Sequence, residues 1–149
     1  LRGLASLSHA AMSLCIVSGS LLAALPLTAF TLAWTHSIEK TRWEEDWQIQ
    51  GMQLVLVAAR IRGSGAGMEI PSGALLRDGI WHYTPTLPPQ GALLLRHSPY
   101  VAGYEICSAL QCRPLADLIP GMNENTGDTG NNADDTLIEL RPCPERRTP

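Results

Sequence analysis

Residues 30–50 read FTLAWTHSIEKTRWEEDWQIQ and predict a β-hairpin. Apolar and polar side chains alternate along both halves, which is the period of a half-buried strand. A turn at Glu39-Lys40 pairs His36 with Trp43 and puts both apolar halves on one face, whereas a slip by one residue would split the tryptophans between two faces. The shared face then carries Phe30, Leu32, Trp34, His36, Trp43, Glu45, Trp47 and Ile49.

The remainder of the chain predicts further short strands between turn residues. Residues 52–61 (MQLVLVAARI) are apolar on both faces and predict a central strand, and residues 78–79 (DG) are a strong hairpin signal. The predicted fold class is therefore all-β, a small antiparallel β-sandwich or partly open barrel over residues 30–120. Residues 121–135 hold too few apolar side chains to order themselves and predict a disordered polar linker. A short edge strand and a tail follow at 136–149.

The N-terminal segment predicts export or membrane attachment. Residues 12–34 carry no charge and are long enough to cross a bilayer core of ~30 Å as a helix. Pro26 favours a shorter unit, in which residues 14–25 are the apolar core of a secretory signal and residues 27–29 a small-residue cleavage site. We expect residues 1–29 to be a signal peptide or an anchor, with a buried core helix as the alternative. The protein would then be exported, or held by residues 12–34 in a membrane.

The charge balance and the motifs argue against two classes of function. The formal net charge is −3, from 11 basic and 14 acidic residues. Neutralising phosphates needs a basic face, so nucleic acid is not an expected partner. His36 and Ser37 are neighbours on a strand and point to opposite faces, so this His cannot serve this Ser in serine-hydrolase chemistry. No G-x-S-x-G motif is present. We therefore expect neither enzymatic activity nor a cofactor.

The cysteines fit an exported protein. If Cys15 leaves with the signal, three remain, which is an odd number. Cys107 and Cys112 flank four residues in YEICSALQCRPL, where a strand–turn–strand would set them opposite each other as a disulfide candidate. A metal or redox pair is the alternative, although this spacing is wide for a redox motif and no nearby His completes a zinc set.

His36 and Glu45 are the first candidate site. Both fall on the tryptophan face, where an unpaired carboxylate costs on the order of several kcal/mol. The hypothesis is a buried His36–Glu45 pair that fixes the hairpin register. The alternatives are the polar anchor of a ligand pocket, or two ligands of a metal that His82 or His97 would have to complete.

The second candidate surface joins the charged turn to a glycine-rich loop. Glu39, Lys40 and Glu44 predict either a solvated face or a docking edge, and exposed ion pairs there stabilise by only about 0–1 kcal/mol. Residues 63–67 (GSGAG) predict a wide turn, or a cradle of backbone N–H groups that holds an acidic solute beside Arg62. The loop lacks the GK[ST] ending of a nucleotide site.

Two separated motifs resemble a known family. WTHSIEKTRWEEDW followed by RIRGSGAGME is similar to bacterial domain-of-unknown-function family 1850, over roughly residues 30–107. Those proteins are small and exported or anchored, and are typically encoded beside TRAP transporters of the TAXI type (TRAP-associated extracytoplasmic immunogenic). The matching positions are His36, Ser37, Glu39, Lys40, Glu44, Glu45, Ser64, Gly65, Gly67 and Met68.

The resemblance implies a non-catalytic accessory role in solute uptake, for a protein that is periplasmic or anchored to the inner membrane facing the periplasm. The implied partner is the membrane subunit or the solute-binding protein of the transporter. The alternative is a stand-alone periplasmic module for a small ligand or a metal, built on His36, Glu45 and His82.

Overall fold

Two antiparallel sheets pack face to face in the computed structural model, which describes residues 11–36, 38, 40–63, 69–98, 103–109, 111–122 and 136–145. Its elements are β1 Met12–Ser18, β2 Leu21–Leu25, β3 Ala29–Thr35, β4 Arg42–Gln50, β5 Gln53–Arg62, β6 Leu75–Arg77, β7 Ile80–Tyr83, β8 Leu93–His97, β9 Glu105–Ser108, β10 Gln111–Pro114, α1 Leu115–Leu118 and β11 Thr136–Pro144.

The small sheet has the order β2-β1-β11-β8, and the large sheet has the order β10-β9-β3-β4-β5-β7-β6. The inner faces share one core, in which Leu14 and Leu140 from the small sheet and Leu32, Trp47 and Leu54 from the large sheet are buried. The sheets do not close on each other. The prediction of a small all-β sandwich is confirmed.

The β3–β4 hairpin keeps the predicted faces but not the predicted register. Trp34 lies opposite Trp43, two residues away from the predicted pairing, and their rings stack with centroids 6.1 Å apart. His36 pairs instead with Thr41, whose carbonyl accepts from the His36 N–H at 2.8 Å. Lys40 adopts a φ of 56° in the turn. A shift of two preserves the side-chain parity of a strand, which is why the face assignment holds although the pairs are wrong.

Two other local predictions are confirmed. Strand β5 lies between β4 and β7 in the large sheet, as its apolar sequence on both faces indicates. The turn between β6 and β7 has Asp78 at φ 52° and Gly79 at φ 75°. Two positive φ values in a two-residue loop are those of the hairpin turn that the Asp-Gly pair favours.

The segment expected to be a leader or anchor lies inside the sandwich. Strand β1 pairs with β11 along nearly its whole length and with β2 on its other side, and Leu14 and Ile16 are fully buried. The described part of residues 1–29 therefore forms strands and not the expected helix, and it belongs to the same sandwich as the residues after position 29. A short apolar run suits a buried strand as well as a helix, and the partner strand is too far along the chain for local pattern to reveal. None of the helices described is long and apolar enough to span a membrane.

The C-terminal prediction also needs correction. Strand β11 has nine residues and lies between β1 and β8, so it is an interior strand and not a short edge strand. Ile138 and Leu140 are fully buried in the core. Of the predicted linker, residues 121–122 follow α1, and residues 123–135 lie outside the described residues.

All four cysteines are paired. Cys107 and Cys112 form the predicted disulfide across β9 and β10. Cys15 and Cys143 form a second one across β1 and β11, which corrects the odd count obtained by setting Cys15 aside. This second bond joins residues separated by 128 positions. Closing so long a loop removes about 5 kcal/mol of unfolded-state entropy in the chain-entropy account.

Candidate functional site

Strand β4 presents two unlike faces. Because side chains alternate along a strand, Glu44 and Asp46 point away from the small sheet, while Glu45 and Trp47 point toward it. Trp47 is a member of the shared core. Strand β5 is in register with β4 up to an irregularity between Asp46 and Trp47, and Arg60 of β5 lies opposite Glu44. Each face builds a distinct candidate site.

The outer charged face is a network of ion pairs across β4, β5 and β9. Arg60 holds Asp46 with two hydrogen bonds, Nη1 to Oδ2 at 2.6 Å and Nη2 to Oδ1 at 2.8 Å. This bidentate geometry fixes both side chains. Thr31 Oγ1 donates to Asp46 Oδ1 at 2.7 Å. The face comprises Arg42, Glu44, Asp46, Arg60, Arg62 and Glu105.

Glu44 is the centre of this face because three arginines reach it. Arg60 Nη2 lies 3.3 Å from Oε2, Arg42 Nε lies 3.5 Å from Oε1, and Arg62 Nε also donates to Oε1. Arg42 extends further, with Nη1 2.6 Å from Glu105 Oε2. Ala33, which has only a methyl side chain, lies between Glu44 and Glu105 in the register.

The network lowers the pKa of both β4 carboxylates on this face. Burial alone would raise the pKa of Glu44, but the hydrogen bonds and charges of Arg62 and Arg60 outweigh it. The hydrogen bond from Arg60 lowers the pKa of Asp46 against a smaller opposing effect of burial, with Thr31 adding to the lowering. The hydrogen bond to Asp46 in turn raises the pKa of Arg60. Both carboxylates are therefore ionised at neutral pH.

A disulfide borders the same face. Arg42 Nη2 lies 3.8 Å from Cys107 Sγ and 3.7 Å from Cys112 Sγ. The disulfide between Cys107 and Cys112 thus links β9 to β10 close to the ion pair between Arg42 and Glu105.

The inner face opens into a pocket of about 310 Å³ beside Glu45. Leu32 and Ala59 lie opposite Glu45 on the two neighbouring strands, and their short or aliphatic side chains leave its carboxylate in an apolar setting. The proline-rich connection from β7 reaches the pocket because Leu54 and Gln90 exchange backbone hydrogen bonds of 2.7 and 2.9 Å. This Glu45 pocket is lined by Leu32, Trp34, Glu45, Trp47, Gln90, Ala92, Leu93, Leu94, Leu95 and Tyr104.

Three aromatic rings line this pocket together with Glu45. Trp47 Nε1 donates to Glu45 Oε2 at 3.1 Å. The centroids of the Trp34 and Tyr104 rings are 5.6 Å apart, and the two ring planes make an angle of 56°. Burial raises the pKa of Glu45, and the hydrogen bond from Trp47 only partly offsets this. Burial and the nearby charge of Glu45 also raise the pKa of Tyr83 and of Tyr104. The two phenols therefore lie within the field of this carboxylate.

A family model described as Domain of unknown function (DUF1850) matches residues 30–115, which is more than half of the chain. The chain belongs to this family. No curated protein and no solved structure matches it. The DUF1850 match contains β3 except for Ala29, and all of β4 to β10. It therefore includes every residue of the outer charged face and of the Glu45 pocket, whereas β1, β2 and β11 lie outside it.

The structure separates the His36–Glu45 pair on which the first hypothesis rested. His36 is exposed and lies opposite Thr41, whereas Glu45 lies opposite Leu32. Four residues of strand separate the two positions, or about 13 Å at ~3.3 Å per residue. The predicted buried pair is therefore wrong, and the polar-anchor alternative remains for Glu45 alone.

The other histidines do not complete a set around Glu45. His82 lies opposite Arg60, on the outer side of the large sheet, and His97 belongs to β8 of the small sheet, beside Gly103. Within the parts of the chain that the structure describes, no three His, Cys, Asp or Glu side chains come together as a metal site.

The turn and loop residues are only partly described. Lys40 is exposed at the β3–β4 turn, and Arg62 belongs to the outer charged face. The remaining predicted contact residues lie outside the described residues: Ser37, Glu39, Ser64, Gly65 and Gly67, with Met68 of the family motif. The anion cradle at residues 63–67 stays a prediction.

Sequence reasoning missed several members of both sites. Arg42, Asp46 and Glu105 were not among the predicted contact residues, although Arg42, Glu44 and Asp46 alternate along one strand as Arg60 and Arg62 do along the next. Pairing those two patterns at a period of two would have found the network. No local signal marks Tyr104 or Gln90, because both reach the Glu45 pocket from distant parts of the chain.

Proposed function

We propose that this DUF1850 protein is an exported, non-catalytic accessory protein of a TAXI-type TRAP solute transporter. It acts by contact with the membrane subunit or the solute-binding protein. The observation that carries the proposal is the outer charged face, in which Glu44 gathers three arginines on one rigid sheet. The family resemblance supplies the class of partner.

The geometry of this face suits recognition of a protein. Its charges hold each other in place, so little side-chain freedom is lost when a partner docks. Arg62 and Arg42 keep 46% and 30% of their side-chain surface exposed, which leaves guanidinium donors for an acidic patch on the partner. Complementary charges of this kind set the register of docking and speed the encounter.

The cysteine pairing supports export. Two disulfides in a chain of 149 residues are typical of proteins that reside in an oxidising compartment such as the bacterial periplasm. The solute-binding protein and the outer loops of a TRAP membrane subunit face that compartment.

The test is a pull-down from membranes of cells that also express the transporter, using the tagged full chain. One variant carries Lys40→Ala and Arg62→Ala, which remove two exposed cations at the turn end of the outer charged face. The matched control carries Arg96→Ala and Arg141→Ala, which remove two exposed cations from the small sheet. Both variants change the net charge equally.

We expect the unaltered chain and the control to recover a transporter subunit, identified by mass spectrometry, and the first variant to recover at least tenfold less. The identity of that subunit then separates the two possible partners. Recovery of no transporter subunit by the folded, unaltered chain would overturn the proposal. Equal recovery by all three proteins would show that the contact lies elsewhere on the protein.

The Glu45 pocket favours a second function, a small-ligand module. It is built from residues of the opposite face and shares no side chain with the outer charged face. A variant on one face therefore leaves the other intact, so the two functions are separately testable.

A further inference from the structure

We propose that the Glu45 pocket binds a small organic ammonium ion, with the cation against the Glu45 carboxylate and its carbon substituents against Trp34 and Tyr104. This inference goes beyond the transporter contact and does not depend on it. It assigns a ligand class to a cavity on the face opposite to the proposed docking surface.

The first argument is the charge left on the inner face. Glu45 is half-buried, and a carboxylate held partly among apolar side chains loses hydration that a cation or several hydrogen bonds can replace. Glu45 receives one hydrogen bond from a described residue, from Trp47 to Oε2. The salt bridges among the described residues all use the outer carboxylates. A ligand cation at Oε1 would supply a compensating charge.

The second argument is the arrangement of the rings. The planes of the Trp34 and Tyr104 rings make an angle of 56°, and both rings line the same pocket as Glu45. The ring of Trp43 stacks on that of Trp34. Cations bind over aromatic faces, most strongly over Trp, and rings combined with a carboxylate are suited to ammonium ligands. The Trp47 indole is oriented by its hydrogen bond to Glu45.

The third argument is the shape and lining of the cavity. Its volume of about 310 Å³ is at the lower end of the ~300–1,000 Å³ range of ligand pockets. Leu93, Leu94 and Leu95 from the small sheet line the pocket as well, together with Gln90. This lining suits a molecule with one cationic end for Glu45 and an apolar body for the leucines.

The test compares a cation with its neutral isostere. The purified, oxidised full chain is titrated at pH 7.5 with choline and, separately, with 3,3-dimethyl-1-butanol, in which carbon replaces the charged nitrogen. Primary amines of two to six carbons form a second series. Binding is followed by calorimetry and by tryptophan fluorescence, which reports on Trp34 and Trp47.

Two variants locate the site. Glu45→Gln removes the charge and keeps an oxygen that can accept from Trp47, so the fold is retained. Glu69→Gln removes one exposed carboxylate elsewhere and is the matched control. We expect an ammonium compound to bind the unaltered chain and the control at least tenfold more tightly than its neutral isostere, and Glu45→Gln to remove that preference. Trp34→Leu should weaken binding of the quaternary ion more than that of the primary amine.

The pH dependence gives a readout that needs no variant. Affinity for the ammonium compound should fall as the pH falls through the pKa of Glu45, because the cation competes with the proton. Equal affinity for choline and the neutral isostere would identify an apolar pocket without cation recognition and overturn the proposal. So would the lack of saturable binding of any ammonium compound up to millimolar concentration. Neither result bears on the pull-down, which uses residues of the other face.

Discussion

Glu44 and Glu45 are neighbours in sequence and opposites in environment. Glu44 lies among three arginines on the outer charged face, and its pKa is lowered. Glu45 lies beside Trp47 in an apolar pocket, and its pKa is raised. The two carboxylates are chemically identical, so the alternation of the strand alone assigns one to a fixed ion network and the other to a cavity.

The comparison extends to the two faces of the whole hairpin. The outer charged face is held by ion pairs and a disulfide and presents its charges to solvent. The inner face buries Trp47 in the core but leaves a cavity where Glu45 meets the small sheet. A docking surface and a ligand pocket can thus occupy one strand without sharing a residue.

The largest expected effect on stability comes from a core substitution on the inner face. Trp47 is only 2% exposed, so Trp47→Ala should lower the free energy of unfolding by about 3–5 kcal/mol through lost burial and a cavity. It also removes the hydrogen bond to Glu45. Urea denaturation measures the change.

The control for this substitution is the next residue along the strand. Gln48 points outward and is exposed, so Gln48→Ala should change the free energy of unfolding by no more than about 0.5 kcal/mol. Similar losses at both positions would show that the strand does not alternate between core and surface as described.

A substitution on the outer charged face should lower the free energy of unfolding by a smaller amount. Arg60→Ala removes the bidentate contact with Asp46 and one of the three cations at Glu44. Hydrogen bonds between charged groups contribute about 1.5–3 kcal/mol, and partial exposure reduces this. We expect a loss of about 2 kcal/mol in urea denaturation at pH 7. Arg77→Ala, which removes an exposed cation from β6 of the same sheet, should cost much less.

The pH dependence of the Arg60 contact sharpens this prediction. Because the network lowers the pKa of Asp46 and of Glu44, their contribution is complete above the unfolded-state values and is lost as the pH falls through the folded-state values. The difference between Arg60→Ala and the unaltered chain should therefore shrink in acid. A difference that is constant with pH would mean that Arg60 stabilises by packing and not by charge.

Much of the sandwich was predictable because its signals are local. The alternation in residues 30–50 gave the hairpin and its faces, and the Asp-Gly pair gave the β6–β7 turn. The register required knowledge of a tertiary preference, the stacking of Trp34 on Trp43. A shift by two residues leaves the hydrophobic pattern unchanged, so pattern alone could not choose between the two registers.

The remaining errors share a non-local cause. Strand β1 was interpreted as a leader because its partner β11 is more than a hundred residues away, and the disulfide between Cys15 and Cys143 spans the same distance. For the candidate sites, the sequence identified Glu45 and Glu44. It did not indicate that Tyr104 lines the Glu45 pocket or that Glu105 belongs to the outer charged face. Those contacts arise only when β9 packs beside β3.

The smallest expected effect compares the two glutamates directly. Glu45 has a raised folded-state pKa, so its ionisation opposes folding at neutral pH, and this penalty is relieved as the pH falls through that pKa toward the ordinary value of 4.5. Glu45→Gln should therefore leave stability at pH 7 unchanged or raise it by less than about 1 kcal/mol. Glu44 has a lowered pKa, so Glu44→Gln should lower stability at pH 7. Both differences should shrink as the pH falls through the two pKa values, which thermal denaturation from pH 8 down to pH 2 would measure. Parallel curves for the two variants would mean that the carboxylates share one environment, and the division of β4 into two faces would fail.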